Sequence, residues 1–406
     1  MADTMELRDI EVWDGNMAAS QALRQVQVDV VAAYPITPST PIVENYANFE
    51  ANGYVDGEFV MVESEHAAMS GCIGASAAGG RVATATSSQG FALMVETLYS
   101  ASGMRLPIIL NVVNRALGAP LNVNGDHSDM YLGRDSGWIQ LNAYNPQHAY
   151  DLNFIAFKVA EDHDVRLPAM VHQDGFMTSH TAQGVHTMTD EQGFNFVGEF
   201  QPMNDMLDLD HPVTHGVQTE EDWHFEHKAR QQHALMTAVL PKIQAAFDDF
   251  EKLSGRKYNI VESYNMEDAE VAVVCMGTSV ETAMEVVNEL RAQGVKAGVV
   301  GIRVFRPWPL EQLAEVLKNV KAIGALDRSS PHGTVGMLYN EIAGTLFNTD
   351  AKPVLTNYIY GLGGRDLTKA HLVGIFNDLK ANMDAGKPTT ALQQYIGLRG
   401  PKLSFF

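Results

Sequence analysis

Short apolar runs alternate with helix-length stretches along most of this 406-residue chain, and each run ends in polar residues. MAASQALRQVQVDVVAA (17–33) predicts an amphipathic helix leading into a short buried strand. YPITPSTP (34–41) breaks the pattern with three prolines, which fix φ and remove donors, so a rigid loop is expected at a strand end. An apolar strand (59–62) runs into a helix dense in Ala, Gly and Ser, whose small residues allow close backbone approach. RVATATSSQG, LPIILNVVNR and, after a longer excursion, LPAMVHQDGF repeat the theme of strand followed by polar turn. This rhythm predicts an α/β chain built on an open, parallel, doubly wound sheet. Such sheets bind ligands beyond the carboxyl ends of their strands.

Residues 181–255 depart from the rhythm. They are rich in Asp, Glu, His and Gln and end in a predicted long helix (225–253), which suggests a connector wrapping another surface. From 269 the strand–helix alternation returns: EVAVVCMG, VKAGVVGIRVFRPWP, KAIGALDRSS and PVLTNYIYGLGG read as strands with loops, separated by helices. The expected domains are residues 1–250, including the connector, and 256–406, a smaller α/β unit. No internal repeat is evident.

Composition excludes several functions. The net charge of −21 leaves no basic field for nucleic acid. No run of about 18 apolar residues predicts a membrane span, and MADTMELRDIEVWDG has no leader character, so a cytoplasmic location is expected. Cys72 and Cys275 are too few for an iron–sulfur cluster, which needs about four thiolates.

Several segments carry candidate chemistry. Glu65, in ESEH (63–66), sits at a strand-to-helix junction; it is either a capping carboxylate or an acid bonded to a ring nitrogen of a buried cofactor. TATSSQG (84–90) is a hydroxyl-rich turn, suited to an anion or polar ring, or simply to N-capping. Arg115 follows IILNVVN at the end of a central strand, where a poorly solvated guanidinium needs a carboxylate or phosphate, from the protein or from a ligand. GDHSD (125–129) could hold a metal but reads more simply as a tight turn. Asp174-Gly175-Phe176 lacks the rest of a kinase signature, and GLGGR (361–365) opens no dinucleotide-binding helix. No P-loop is present, nor a GDG with a following Asn of the kind that holds a metal–diphosphate.

Taken together, YPITPSTP (34–41), ESEHAAMSGCIGASAAGGR (63–81), TATSSQG (84–90), VNRALGAP (113–120), GDHSDM (125–130), RDSGWIQL (134–141) and DGFMTSH (174–180) resemble, in order and spacing, the pyruvate:ferredoxin oxidoreductase family of 2-oxoacid:acceptor oxidoreductases. MGTS (276–279), FRPWP (305–309) and LDRSSPHGTVG (326–336) resemble that family's transketolase-C-like domain. The resemblance implies a thiamine-diphosphate-binding-type domain on the aminopyrimidine side plus the transketolase-C-like domain, as an α subunit. It implies that Glu65 bonds the aminopyrimidine and favours the imino tautomer that deprotonates thiazolium C2. Thr37 and Arg115 would bind the substrate carboxylate, while Pro35, Ser88 and Gln89 complete the cofactor side. The reaction implied is oxidative decarboxylation of a 2-oxo acid to acyl-CoA and CO2, with coenzyme A as co-substrate. Mg2+ and [4Fe-4S] clusters would reside on partner chains: β, γ and ferredoxin-like δ subunits, with a flavoprotein subunit where NAD rather than ferredoxin accepts electrons.

One departure bears on the substrate. Pyruvate enzymes of this family usually carry a bulky Ile-Trp or Ile-Phe pair where this chain has Val123-Asn124. The smaller pair predicts a wider pocket and a larger acid such as phenylglyoxylate; if these residues face elsewhere, pyruvate is the substrate. A cluster-free transketolase-like or indolepyruvate component, or a non-catalytic assembly subunit, are the alternatives in other classes.

Overall fold

The computed structural model describes residues 10–216 and 218–399. The acidic start (1–9), Val217 and residues 400–406 lie outside the described residues, and with them most of the segment read as carrying no leader. β1 (Ile10–Trp13) pairs antiparallel with β8 (Gln183–His186) as a small ribbon.

The first large sheet uses β2 (Val30–Ala33), β3 (Glu58–Met61), β4 (Val82–Thr86), β5 (Ile109–Asn114), β6 (Ile139–Asn142) and β7 (Ala169–Asp174). These six run parallel in the order β6-β7-β5-β4-β2-β3. β5 is buried at every position, as a strand covered on both faces must be. Its alternate residues serve two cores: Ile109 and Val113 pack with α1 (Gly15–Val26), α2 (Thr40–Ala51) and α5 (Pro146–Ala160). Leu110 and Val112 pack with α3 (Glu65–Ala77) and α4 (Ser88–Gly103). That two-sided burial is the doubly wound arrangement the rhythm predicts.

The "longer excursion" holds β6 and α5, which the sequence reading missed. α5 is buried along nearly its whole length, so it lacks the polar face that reveals a surface helix. After α6 (Asp190–Val197), the expected long helix is present as α7 (Glu221–Ala234) and α8 (Leu240–Ser254), joined through a wide π turn at Leu235–Val239. Pro241 lacks an N–H, so the ladder is locally disrupted there. At the far end, Asp151 on α5 accepts from Arg256 Nε at 2.6 Å and from the Tyr258 hydroxyl at 2.5 Å, fastening the exit of α8.

The second sheet has the order β15-β14-β13-β10-β11-β9. Its strands are β9 (Val261–Tyr264), β10 (Val271–Cys275), β11 (Ala297–Ile302), β13 (Ala322–Asp327), β14 (Val354–Ile359) and β15 (Gln393–Tyr395), and only β9 is antiparallel. α9 (Ser279–Ala292), α10 (Leu310–Leu317), α11 (Met337–Phe347) and α12 (Lys369–Ala385) cover it. The run VKAGVVGIRVFRPWP, expected as a single strand, divides at Arg303: β12 (Val304–Arg306) leaves the second sheet and joins β6 antiparallel, at the edge of the first. Arg303 turns inward at this break, its guanidinium 4.2 Å from the Tyr144 ring centroid and 4.9 Å from that of Tyr258.

No helix among the described residues is long and apolar enough to cross a membrane. Cys72 and Cys275 are buried free thiols, pushed up to about 12 by burial, which removes their reactivity.

Candidate active site

In the first sheet the strand order reverses between β2 and β4: the chain goes out from β2 to β3, then crosses back to β4 and onward to β5. The crevice at such a reversal, beyond the carboxyl ends, is where open α/β sheets bind ligands. Four candidate segments end up around it: the 34–41 loop after β2, Glu65 after β3, Ser88-Gln89 after β4 and Arg115 after β5.

Glu65 is not the cap of its helix. Ser64 is, accepting from the Ala67 N–H at 3.1 Å. Glu65 occupies the first turn, where the helix dipole favours its charge, and is only 7% exposed. Its carboxylate makes no hydrogen bond or ion pair among the described residues. Gly90 faces it across the crevice, and a Cβ there would lie 2.5 Å from Glu65 Oε1 and 2.7 Å from Thr86 Oγ1. Thr86 Oγ1 is itself buried without a partner. The missing side chain lets α4 approach the unused carboxylate and the unused hydroxyl closely.

Arg115 is 6% exposed and has no carboxylate within ion-pair distance among the described residues. Its Nη1 donates to the Thr37 carbonyl at 2.7 Å and its Nη2 to Gln89 Oε1 at 3.1 Å, while Nε is left without an acceptor. Burial pushes the guanidinium down from its usual value, and the charges of Asp129 and Glu65 pull it back up. The structural ion pair considered for Arg115 is absent; the charge is buried and available. Thr37 stands beside it as expected but through its carbonyl, with its side chain on an exposed loop that also carries Pro35. Ser88 Oγ lies 2.5 Å from Gln89 Oε1 and 2.6 Å from the Ala116 carbonyl oxygen, one hydroxyl proton for two acceptors.

Val123 and Asn124 do not join this group. The Ala116 N–H donates to the Asn124 carbonyl at 3.0 Å, closing a loop over 116–124 whose far end is exposed. Asn124 lies against Gly364, where a Cβ would meet its own Cβ at 2.5 Å, and Asn122 Nδ2 donates to the Gly363 carbonyl at 3.1 Å. Of the pair expected to form a pocket wall, Asn124 faces a glycine turn of the second sheet, and Val123 is exposed. That contact also gives GLGGR its role: Gly361, Gly363 and Gly364 all have positive φ.

The remaining acidic segments are fully used within the protein. Asp126 Oδ1 accepts from the Ser128 N–H at 2.9 Å, as an Asx turn requires. Asp174, from the DGF triplet, joins the two sheets. It pairs with Arg328 at 2.8 Å and His127 at 2.7 Å, and accepts from the Thr278 N–H at 2.9 Å and hydroxyl at 2.6 Å. Sequence reasoning missed this joint; the available signal was that Asp174, Thr278 and Arg328 each end an apolar run.

The family profile described as "Pyruvate flavodoxin/ferredoxin oxidoreductase, thiamine diP-bdg" matches residues 21–245, and that of "Pyruvate:ferredoxin oxidoreductase core domain II" matches 269–372. The chain belongs to the pyruvate:ferredoxin oxidoreductase family. Within this family it is 48% identical over 388 residues to "Pyruvate synthase subunit PorA" of Thermotoga maritima, covering 95% of this chain and 97% of that one. It is 42% identical to "Ketoisovalerate oxidoreductase subunit VorA" of Pyrococcus abyssi, covering 95% and 97%. Among solved structures, a 2-oxoglutarate:ferredoxin oxidoreductase from Magnetococcus marinus, with 2-oxoglutarate, coenzyme A and succinyl-CoA bound, superposes with a TM-score of 0.73 at 21% identity, over 94% of this chain and 67% of that one. In this pyruvate:ferredoxin oxidoreductase family member, the thiamine-diphosphate-binding match contains the whole crevice. The proteins named here carry pyruvate, ketoisovalerate and 2-oxoglutarate in their names, and nothing supports the expected preference for phenylglyoxylate.

Proposed function

We propose that this chain is the α subunit of a multi-subunit 2-oxoacid:ferredoxin oxidoreductase whose substrate is pyruvate. The observation that carries the reading is the pair of buried charges at the strand ends: among the described residues, Glu65 has no donor and Arg115 has no carboxylate within ion-pair distance.

Beside Gly90, the unpartnered Glu65 carboxylate and Thr86 hydroxyl offer an acid and a polar group to a ring bearing a basic nitrogen, and the aminopyrimidine of thiamine diphosphate has that chemistry. Glu65 would hold the ring by sharing a proton with its nitrogen, with Thr86, Ser88, Gln89 and Pro35 around it. When bound, thiamine diphosphate supplies the electron sink that allows CO2 to leave a 2-oxo acid. Arg115 would bind the substrate carboxylate through a charge-assisted bond. The Thr37 and Gln89 oxygens fix the direction of the guanidinium. Burial matters here, because a charge in a site shielded from water binds its counter-charge far more strongly than one in solvent.

The diphosphate, Mg2+, [4Fe-4S] clusters and electron exit are assigned to β, γ and δ partner subunits, with coenzyme A taking the acyl group and ferredoxin taking the electrons. A branched 2-oxo acid is the second reading, supported by the ketoisovalerate relative. The test is a panel of pyruvate, 2-oxoisovalerate, 2-oxoglutarate, indolepyruvate and phenylglyoxylate on the natively purified complex, following dye reduction with and without coenzyme A. Pyruvate is expected to give the highest kcat/KM. A strong preference for an aromatic acid would overturn the assignment, and activity without cluster absorbance would favour a cluster-free enzyme.

A further inference from the structure

Asp129 lies in the GDHSDM segment and is completely buried. Its Oδ2 accepts from the Ser88 N–H at 2.9 Å and from the Arg115 N–H at 2.9 Å. Its Oδ1 accepts from Asn114 Nδ2 at 2.8 Å and from the Met130 N–H at 2.8 Å. All four acceptor positions of the carboxylate are thereby occupied. A turn-stabilising Asp would find its donors within its own loop. Here only Met130 is local; the other three donors come from the ends of β4 and β5.

Those two strand ends carry the site. Ser88 is held at φ +46°, a left-handed conformation unusual for a residue with a side chain. Its N–H, anchored on Asp129, fixes the turn from which Gln89 reaches Arg115. The same oxygen anchors the Arg115 backbone. Asp129 therefore closes a ring: one carboxylate oxygen sets the spacing of the two backbones, and the Gln89–Arg115 bond completes it at side-chain level. No cation among the described residues pairs with Asp129 directly. The Asp126 charge opposes it and Arg115 is the cation it influences, while Ser88, Asn114 and Met130 contribute only neutral donors.

We infer that Asp129 is a positioning residue for the substrate-carboxylate site, acting through Arg115 by fixing the Ser88-Gln89 turn against it. The inference rests on the proposed role of Arg115. Asparagine at 129 presents one NH2 where two donors now arrive, so two bonds fail whichever way the amide is turned.

The test is steady-state kinetics on the assembled complex with D129N, R115A and the double variant. D129N should raise KM for pyruvate on the order of ten- to a hundredfold, the usual cost of displacing a positioned group by about 1 Å, and leave KM for coenzyme A unchanged. Added to R115A, it should cost less than about threefold more, because both act on one contact. An unmoved pyruvate KM in D129N, or full additivity with R115A, overturns the inference while the proposed function stands. An unmoved KM in R115A overturns the proposed function and this inference with it. If D129N fails to assemble, Asn114→Ala removes a single donor and keeps the carboxylate. It should raise pyruvate KM by about three- to tenfold, again non-additively with R115A, and no rise would overturn the inference.

Discussion

Two groups of buried charge lie at the carboxyl ends of the first sheet, and they are built in opposite ways. At the joint between the sheets, Asp174 and Arg328 are each 2% exposed, paired with one another and further bonded by His127 and Thr278. In the crevice, Glu65 and Arg115 are nearly as buried, and neither has an ion-pair partner among the described residues. Burying a charge is costly unless it is paired. The joint meets that cost within the chain; the crevice leaves it to be met by something that binds. Satisfied charge marks structure here, and unsatisfied charge marks reception.

The largest effect should come from Glu65→Gln, which keeps shape and removes the acid. Turnover should fall about 10²- to 10⁴-fold with thermal stability unchanged; a fall in stability would place Glu65 in the structural class. Asp174→Ala should behave in the opposite way, losing about 3–5 kcal/mol of unfolding free energy because Arg328 and His127 are left buried and unpaired. Denaturant titration measures this, and a loss under about 1 kcal/mol would dissolve the distinction.

Acidity should separate the regions by sign. Burial pushes the Asp174 carboxyl up, but Arg328 and His127 outweigh it and hold the group well below the usual range. Its contribution is therefore present above the unfolded value, about 3.9, and is lost as pH falls below it. Asp129 is pushed up to about 6 by burial, against the pull of its hydrogen bonds. Its charged form is the disfavoured one, so the folded state gains relative stability from this group as pH falls from about 6 towards 4. Urea midpoints across that range, compared with D129N, should show the variant losing this gain.

Gly90→Ala should lower thermal stability and weaken thiamine diphosphate binding, because its Cβ would lie 2.5 Å from Glu65 Oε1 and 2.7 Å from Thr86 Oγ1 and must displace them. Intrinsic-fluorescence titration with the cofactor would detect the change, and unaltered affinity would remove Gly90 from the site. The smallest effect is expected at Asn124→Ala: pyruvate KM should stay within about threefold, or roughly 0.6 kcal/mol, since the residue faces Gly364.

The parallel sheet and the crevice were legible because polar residues at strand ends are a local pattern. Glu65 and Arg115 could be singled out by asking what a charge at such a position would need. The placement of Asn124 was not legible, because it depends on a turn some 240 residues away. α5 was hidden by its burial and β6 by its four-residue length. The split at Arg303 escaped because each half of the run is apolar enough to be a strand, and only tertiary pairing sends β12 to the other sheet.

That crossing strand bears on synthesis. β12 protects the edge of β6, and an unprotected sheet edge pairs readily with other chains. On the ribosome, Asn142 emerges long before Val304, at roughly 5–20 residues per second. The first sheet therefore waits on the order of ten to thirty seconds with one flank open. Nascent chains stalled within that interval are the species for which a chaperone should compete hardest.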